Sequence, residues 1–146
     1  MQEDKWEGHF ATHSLNEDGT FKALSKQKNS SSDISPTGGQ MPRLLGLAYA
    51  SYFYKTNPDL QKGKFLDYSN KGREVAFGTI GDASTSEGIF WETINAAGVL
   101  QVPLLMSVWD DGHGISVPKK YQTTKESISE VLKGFQKSTE EKDMRS

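Results

Sequence analysis

The sequence predicts an α/β fold built on a parallel sheet with flanking helices, and three consecutive segments carry that prediction. Residues 75–80 and 102–109 are short, continuously apolar runs of the kind that forms buried strands. Between them, residues 87–100 place apolar side chains along one helical face. A strand, a helix and a strand of these lengths make a βαβ unit, in which the two strands run parallel.

Further helices are predicted on either side of this unit. Residues 43–53 are apolar nearly all round, which indicates a buried helix with Pro42 in its first turn. Thr123 and Glu126 have the spacing of a capping box, and apolar residues at helical spacing follow over residues 128–135.

Polar segments are expected to connect these elements. Residues 56–72 contain Pro58, Gly63 and Gly72 and are predicted to form a surface insertion. In the turn at residues 81–86, serine or threonine is placed to cap the central helix. The chain therefore divides into a polar N-terminal segment (1–34), an α/β core (35–137) and a charged tail (138–146).

Composition narrows the classes of function. The 146 residues carry a net charge of −2 with no basic stripe, which argues against a nucleic-acid partner. There is no cysteine, so disulfides and thiolate metal sites are excluded. No apolar run reaches membrane-spanning length and the N-terminus does not resemble a signal peptide, so we expect no membrane partner and a cytoplasmic location.

Acidic residues follow both predicted strands. Asp82 comes after the first strand, and Asp110 and Asp111 come after the second. The carboxyl ends of parallel strands share one edge of the sheet, where ligands of open α/β folds bind. Carboxylates select hard cations such as magnesium, and the start of the following helix favours a phosphate. A magnesium–phosphate site is one interpretation; the other is a pair of ordinary turns, because Gly-Asp and Asp-Gly are common turn dipeptides.

Four segments of the sequence resemble the motifs of one protein family. They are residues 35–42 (SPTGGQMP), 81–88 (GDASTSEG), 95–103 (NAAGVLQVP) and 110–118 (DDGHGISVP). These segments are similar to the corresponding motifs of the decarboxylating first component of the 2-oxo acid dehydrogenase complexes, of the pyruvate and branched-chain type. It is nearest to forms in which the alpha and beta halves are fused.

The resemblance implies a partial thiamine diphosphate-binding fold with magnesium. It makes Asp82 and Asp111 metal ligands, together with the backbone carbonyl of His113. It places the backbone at Ala83 and Ser84 against the diphosphate. The other positions that it assigns to the cofactor are Ser35 and Thr37 at the aminopyrimidine, with Gly81 and Ile115.

The resemblance also implies a reaction and its partners. Thiamine diphosphate decarboxylates a 2-oxo acid, and the acyl group passes to a lipoyl arm. The implied partners are a second, beta-type half of the enzyme and a lipoyl-bearing acyltransferase. The glutamate that activates the cofactor belongs to the partner half and a histidine-bearing loop lies downstream, so we assign no catalytic residue here and expect these 146 residues alone to be inactive.

Two departures from the family's wording keep alternatives open. The family has glycine where this chain has Ala83, and paired asparagines where it has Asp110 and Asp111. Two alternatives therefore stay open: a transketolase-like thiamine enzyme, and a non-catalytic domain that no longer binds cofactor. His9 and His13 lack the glutamate of a zinc-protease motif and are not assigned to a metal. Trp91 and Trp109 are expected in the core or at an interface.

Overall fold

The structure is a computed structural model that describes residues 11–32 and 34–136. His9 and the predicted charged tail (138–146) lie outside these residues. The helices described are α1 (Met41–Thr56), α2 (Gly88–Leu100) and α3 (Ile128–Leu132). The strands are β1 (Ala76–Gly81), β2 (Leu104–Trp109), β3 (His113–Gly114) and β4 (Val117–Pro118).

The predicted βαβ unit is confirmed. β1 pairs with β2 in parallel, in a register that runs from Ala76 opposite Leu104 to Gly81 opposite Trp109. α2 connects the two strands, and α1 contacts both α2 and the sheet. The fold is thus a small α/β structure with a parallel two-stranded sheet and flanking helices. β3 and β4 form a separate antiparallel hairpin that the sequence did not predict.

Burial is one-sided across the parallel sheet. The core is a cluster of Met41, Leu44, Ile80 and Phe90, with Ala76, Leu104, Met106 and Val108 packed against it. Side chains on the opposite face of the strands are exposed: Phe77 at 61%, Leu105 at 57% and Trp109 at 70%. Within the described residues, the apolar strands are therefore covered on one face only, although continuous apolar strands are typical of sheets covered on both.

Helix α1 forms where it was predicted, but it is buried on one side only, and Leu47, Tyr49 and Phe53 are exposed. Pro42 lies in its first turn, where its missing N–H removes no helical hydrogen bond. Met41, Leu44 and Ala48 are buried on the side that meets the sheet. Gly78 of β1 allows this contact to be close, because a Cβ built on it would lie 2.5 Å from Leu44 Cδ2. The Leu44 side chain of α1 therefore packs directly on the backbone of β1 at Gly78.

The predicted insertion forms 3-10 turns (Pro58–Gln61 and Gly63–Asp67) and then returns to α1 at Gly72. Gly72 is buried, and its φ of +72° lies in the left-handed region that favours glycine. A Cβ on Gly72 would fall 2.3 Å from the Ser51 carbonyl oxygen and 2.4 Å from the Lys55 nitrogen. This glycine therefore fixes the end of the insertion against α1 before β1 begins.

The predicted helix caps are wrong. α2 begins after Glu87 with no side-chain cap. The predicted capping box fails because Lys125 and Glu126 have left-handed φ values of 59° and 52°, which interrupt any helix there. Ser127 caps α3 instead, its hydroxyl accepting from the Glu130 N–H at 3.4 Å. α3 is also shorter than predicted and passes into a 3-10 turn at Lys133–Phe135.

Within residues 11–32 and 34–136, no helix is both long and apolar enough to cross a bilayer.

We predict opposite effects of alanine at two glycines. Gly72→Ala should lower the free energy of unfolding by about 1–3 kcal/mol, because the new methyl group meets backbone atoms of α1. The matched control is Gly98→Ala in α2, where a Cβ meets nothing within 4 Å. It should raise stability by about 0.5–1 kcal/mol through helix propensity. Urea denaturation of each variant measures both effects; equal stabilities would contradict the packing described for Gly72.

Candidate functional site

The sheet register places Asp82 beside the end of the neighbouring strand. The Asp82 N–H donates to the Trp109 carbonyl at 3.1 Å, which extends the β1–β2 ladder by one bond. Asp82 is 4% exposed, so its carboxyl group is largely removed from solvent at the sheet edge. Asp110 follows Trp109 directly. The topology thus brings together acidic residues from the two strands, as the sequence predicted.

The turn after Asp82 is a single 3-10 turn (Ala83–Ser86). The Asp82 carbonyl accepts from the Thr85 N–H at 3.1 Å and from the Thr85 hydroxyl at 2.5 Å. Thr85 is fully buried, which explains why its hydroxyl serves this turn and does not cap α2. Ala83 is not among the residues with positive φ. The backbone at position 83 is therefore not left-handed, so alanine fits where the family has glycine.

Asp110 and Asp111 have different partners at the end of β2. Asp110 Oδ1 accepts from the Gly112 N–H at 3.0 Å, and the carboxylate also binds the Lys119 ammonium. The Lys119 hydrogen bond is the first cause that holds the pKa of Asp110 below its ordinary value. Asp82, which lies at the same sheet edge, makes the smallest contribution to the lower pKa of Asp110. Asp111 Oδ1 accepts from the His113 N–H at 3.0 Å.

The hairpin β3–β4 is held against the turn that follows Asp82. A Cβ on Gly114 would lie 2.8 Å from the Ala83 Cβ, closer than real Cβ contacts come. It would also meet the Gln122 side chain, which donates to the Val117 carbonyl at 3.1 Å. Only glycine at position 114 lets the two halves of the site approach this closely. The residues after β2 are therefore packed onto the residues after β1.

A cavity of about 360 Å³ opens beside this turn. It brings together four of the nine predicted cofactor positions, Ser35, Thr37, Gly81 and Ser84. The side-chain oxygen of Gln40 is also buried here and has no hydrogen-bond partner among the residues that the structure describes. An unpartnered buried oxygen is costly, so it marks a place where a polar ligand would be stabilised.

The other five predicted positions lie outside the cavity lining. Asp82, Ala83, Asp111 and His113 belong to the turns just described. Ile115 is at the tip of the hairpin, fully exposed and with a φ of 57°. Among the described residues, no group of three or more histidine or acidic side chains is arranged to hold a metal. The exposed His13 is in no such group.

Sequence reasoning missed several residues of this region. Gln40, Thr79 and Trp109 line the cavity, although Trp109 was expected in the core or at an interface. Trp109 is 70% exposed because it lies on the uncovered face of the sheet; Trp91, by contrast, packs against the core as predicted. Gln40 carried a usable signal, since a polar residue directly before a buried helix is either a cap or a ligand contact, and it makes no cap.

Comparison with known families gives one decisive result. The family model for the dehydrogenase E1 component matches residues 5–137, nearly the whole chain. The chain belongs to the dehydrogenase E1 component family. E1 components are thiamine diphosphate-dependent oxidoreductases of 2-oxo acids, and they work together with other subunits and acyltransferases. Membership in the E1 family confirms the resemblance and favours it over the transketolase-like alternative. No curated protein matches the chain.

We predict that Gly114→Ala moves the hairpin away from Ala83 and costs about 1–3 kcal/mol of stability. The flexible Gln122 side chain can shift, so the contact between the two β-carbons decides the effect. Ala83→Gly in the same chain removes one of these methyl groups and should recover most of the loss. The measurements are urea denaturation and the amide NMR shifts of Gly112 and His113. Unchanged shifts and stability in Gly114→Ala would show that the halves of the site are not in close contact.

Proposed function

We propose that residues 35–137 hold the diphosphate end of thiamine diphosphate, through magnesium, in the E1 component of a 2-oxo acid dehydrogenase. The observation that carries this proposal is the pairing of β1 with β2, because it brings the buried Asp82 to the same edge of the sheet as the end of β2, which Asp110 and Asp111 follow. Family membership supports the cofactor. The metal is inferred from the chemistry of the side chains.

The acidic edge fits a divalent cation. The Asp82 N–H bonds to the carbonyl of Trp109, the residue before Asp110, so both aspartates lie at one sheet edge, and carboxylates brought close together repel unless a proton or a cation lies between them. Magnesium takes one or two carboxylates and completes its octahedron with water and phosphate oxygens. Asp82 and Asp111 supply the two carboxylates in this proposal, and the His113 carbonyl supplies a third ligand. The polar cavity beside them fits the rest of the cofactor.

The residues around the cavity are proposed to orient the cofactor. The backbone of the Ala83–Ser86 turn faces the diphosphate, and Gly81 leaves room for it at the end of β1. The loop that holds Ser35 and Thr37 borders the same cavity and is assigned to the aminopyrimidine end. Ile115, at the exposed tip of the hairpin, borders the cofactor on the other side.

Bound thiamine diphosphate would supply the carbanion that attacks the 2-oxo acid and the electron sink that allows carbon dioxide to leave. The chain's own part is to bind and orient, and we assign it no proton-transfer residue. We propose pyruvate or a branched-chain 2-oxo acid as substrate and a lipoyl arm as acyl acceptor. The proposed partners are a beta-type half and a lipoyl-bearing acyltransferase, in the cytoplasm.

The first test is calorimetric titration of the chain with thiamine diphosphate. We expect binding in the presence of magnesium and none after its removal with a chelator. Asp82→Ala removes the ligand oxygen and should weaken binding at least about tenfold, the scale on which changes around a metal site act. The control is Asp67→Ala, which changes an exposed aspartate at the end of the Gly63–Asp67 turn. If the folded chain binds no cofactor either alone or together with its beta-type partner half, the non-catalytic alternative is correct; if both variants bind alike, Asp82 is not a ligand.

The second test separates two roles of Asp111. Asp111→Asn keeps an oxygen for the metal and an acceptor for the His113 N–H, so affinity for magnesium–thiamine diphosphate should stay within about threefold. Asp111→Ala removes both and should weaken binding more than about tenfold. Titrations across a magnesium series measure both variants. Equal damage from the two substitutions would mean that the negative charge itself, and not the ligand oxygen, is required.

A further inference from the structure

The ion pair between Lys119 and Asp110 stands apart from the other ion pairs in the described residues. Its ammonium lies 3.0 and 3.3 Å from the two carboxylate oxygens, and the side chains are 34% and 37% exposed. Lys62–Asp59 and Lys133–Glu130 join residues only three positions apart on open surface. The Lys119 pair spans nine positions and links the end of β2 to the residue that follows the hairpin.

Hydrogen bonds from the backbone reinforce the same link. The Lys119 N–H donates to the Gly112 carbonyl at 2.9 Å, and the Gly112 N–H donates to Asp110 Oδ1 at 3.0 Å. Gly112 has a φ of +82°, which suits this tight return. Asp110 is thus bound by an amide and an ammonium at once. Asp111, next along the chain, has no ammonium partner among the described ion pairs, and its Oδ1 accepts only a backbone N–H.

Charge explains why this arrangement matters at an acidic edge. Asp82, Asp110 and Asp111 carry up to three negative charges, and a diphosphate brings more. A divalent cation cannot balance that sum. Lys119 offsets the charge of Asp110, whereas Asp82 and Asp111 have no ammonium partner among the described ion pairs.

We propose that Lys119 is a positioning residue of the cofactor site: it neutralises Asp110, so that the acidic edge tolerates a diphosphate beside the metal. This rests on the proposed function of the same site. Lys119 itself touches neither metal nor cofactor in this proposal. Its effect passes through the charge of Asp110.

Removal of the Lys119 charge should affect the affinities for thiamine diphosphate and for Mn²⁺ differently. Lys119→Met should weaken magnesium-dependent thiamine diphosphate binding by about three- to fivefold, the scale of a partly exposed charge pair. The same variant should bind Mn²⁺ alone as well as or better than the unaltered chain, because the edge is more negative. A loop that had merely loosened would bind both ligands more weakly. Calorimetry with thiamine diphosphate at saturating magnesium, and paramagnetic resonance titration with Mn²⁺, measure the two affinities.

Three variants complete the experiment. Lys119→Arg keeps the charge and should restore both affinities to within about twofold. Lys119→Met combined with Asp110→Asn removes one charge of each sign and should do the same. The matched control is Lys120→Met, an adjacent lysine whose ammonium lies 5.0 Å from the Tyr121 ring centre. It should change neither affinity.

Each result decides the proposal. Weaker thiamine diphosphate binding with unweakened Mn²⁺ binding, and recovery in the double variant, supports it. Parallel loss of both ligands in Lys119→Met, or no loss of either, overturns it while the proposed function stands. If the unaltered, folded chain binds neither ligand, the proposed function and this inference both fail.

Discussion

Parallel pairing of β1 with β2 is the constraint on which the rest of the described structure depends. Side chains alternate along a strand, so this register turns Ile80 and Val108 toward the helices. A slip by one residue would turn the core outward and would also move Asp82 away from Asp110. The bond from the Asp82 N–H to the Trp109 carbonyl continues the same ladder. The hydrogen bonds that hold the core in place therefore also hold the acidic edge together.

Close backbone approaches connect the other parts of the site to this pair of strands. The loop before α1 reaches α2 at Gly38, whose φ is +71° and whose Cβ would lie 3.3 Å from the Ile89 Cγ2. Its carbonyl accepts from the Met41 N–H at 3.0 Å, so α1 starts from a fixed point. On the opposite side, Gly114 brings the hairpin onto Ala83. Glycines that permit close contact therefore fix both the loop beside the cavity and the hairpin after β2.

Local pattern was sufficient where the determining interactions are local. Apolar runs and helical periodicity predicted β1, α2, β2 and α1, and topology then predicted the meeting of Asp82 with Asp110. Prediction failed where distant packing decides. Thr123 has a capping-box spacing, yet it is buried and the two residues before Ser127 are left-handed, so the helix starts later. Trp109 was expected in the core or at an interface, and its sequence neighbours alone do not show that it lies on the sheet face that the described residues leave uncovered. The Lys119–Asp110 pair likewise depends on a hairpin that no periodicity signals.

The two departures from the family's wording are accommodated by different physical means. Glycine is needed in a motif only where the backbone turns left-handed or another chain segment approaches too closely. Ala83 has neither requirement, because it lies in a 3-10 turn and the close approach is met by glycine on the partner side, at position 114. Asp110 differs from asparagine by a charge and keeps the acceptor oxygen that the Gly112 N–H uses. That charge has a partner within 3.0 Å in Lys119. A substitution inside a motif therefore has to be judged by the backbone angle and the contacts at its position. On that criterion, neither departure argues that the acidic edge has lost its capacity to hold a cation.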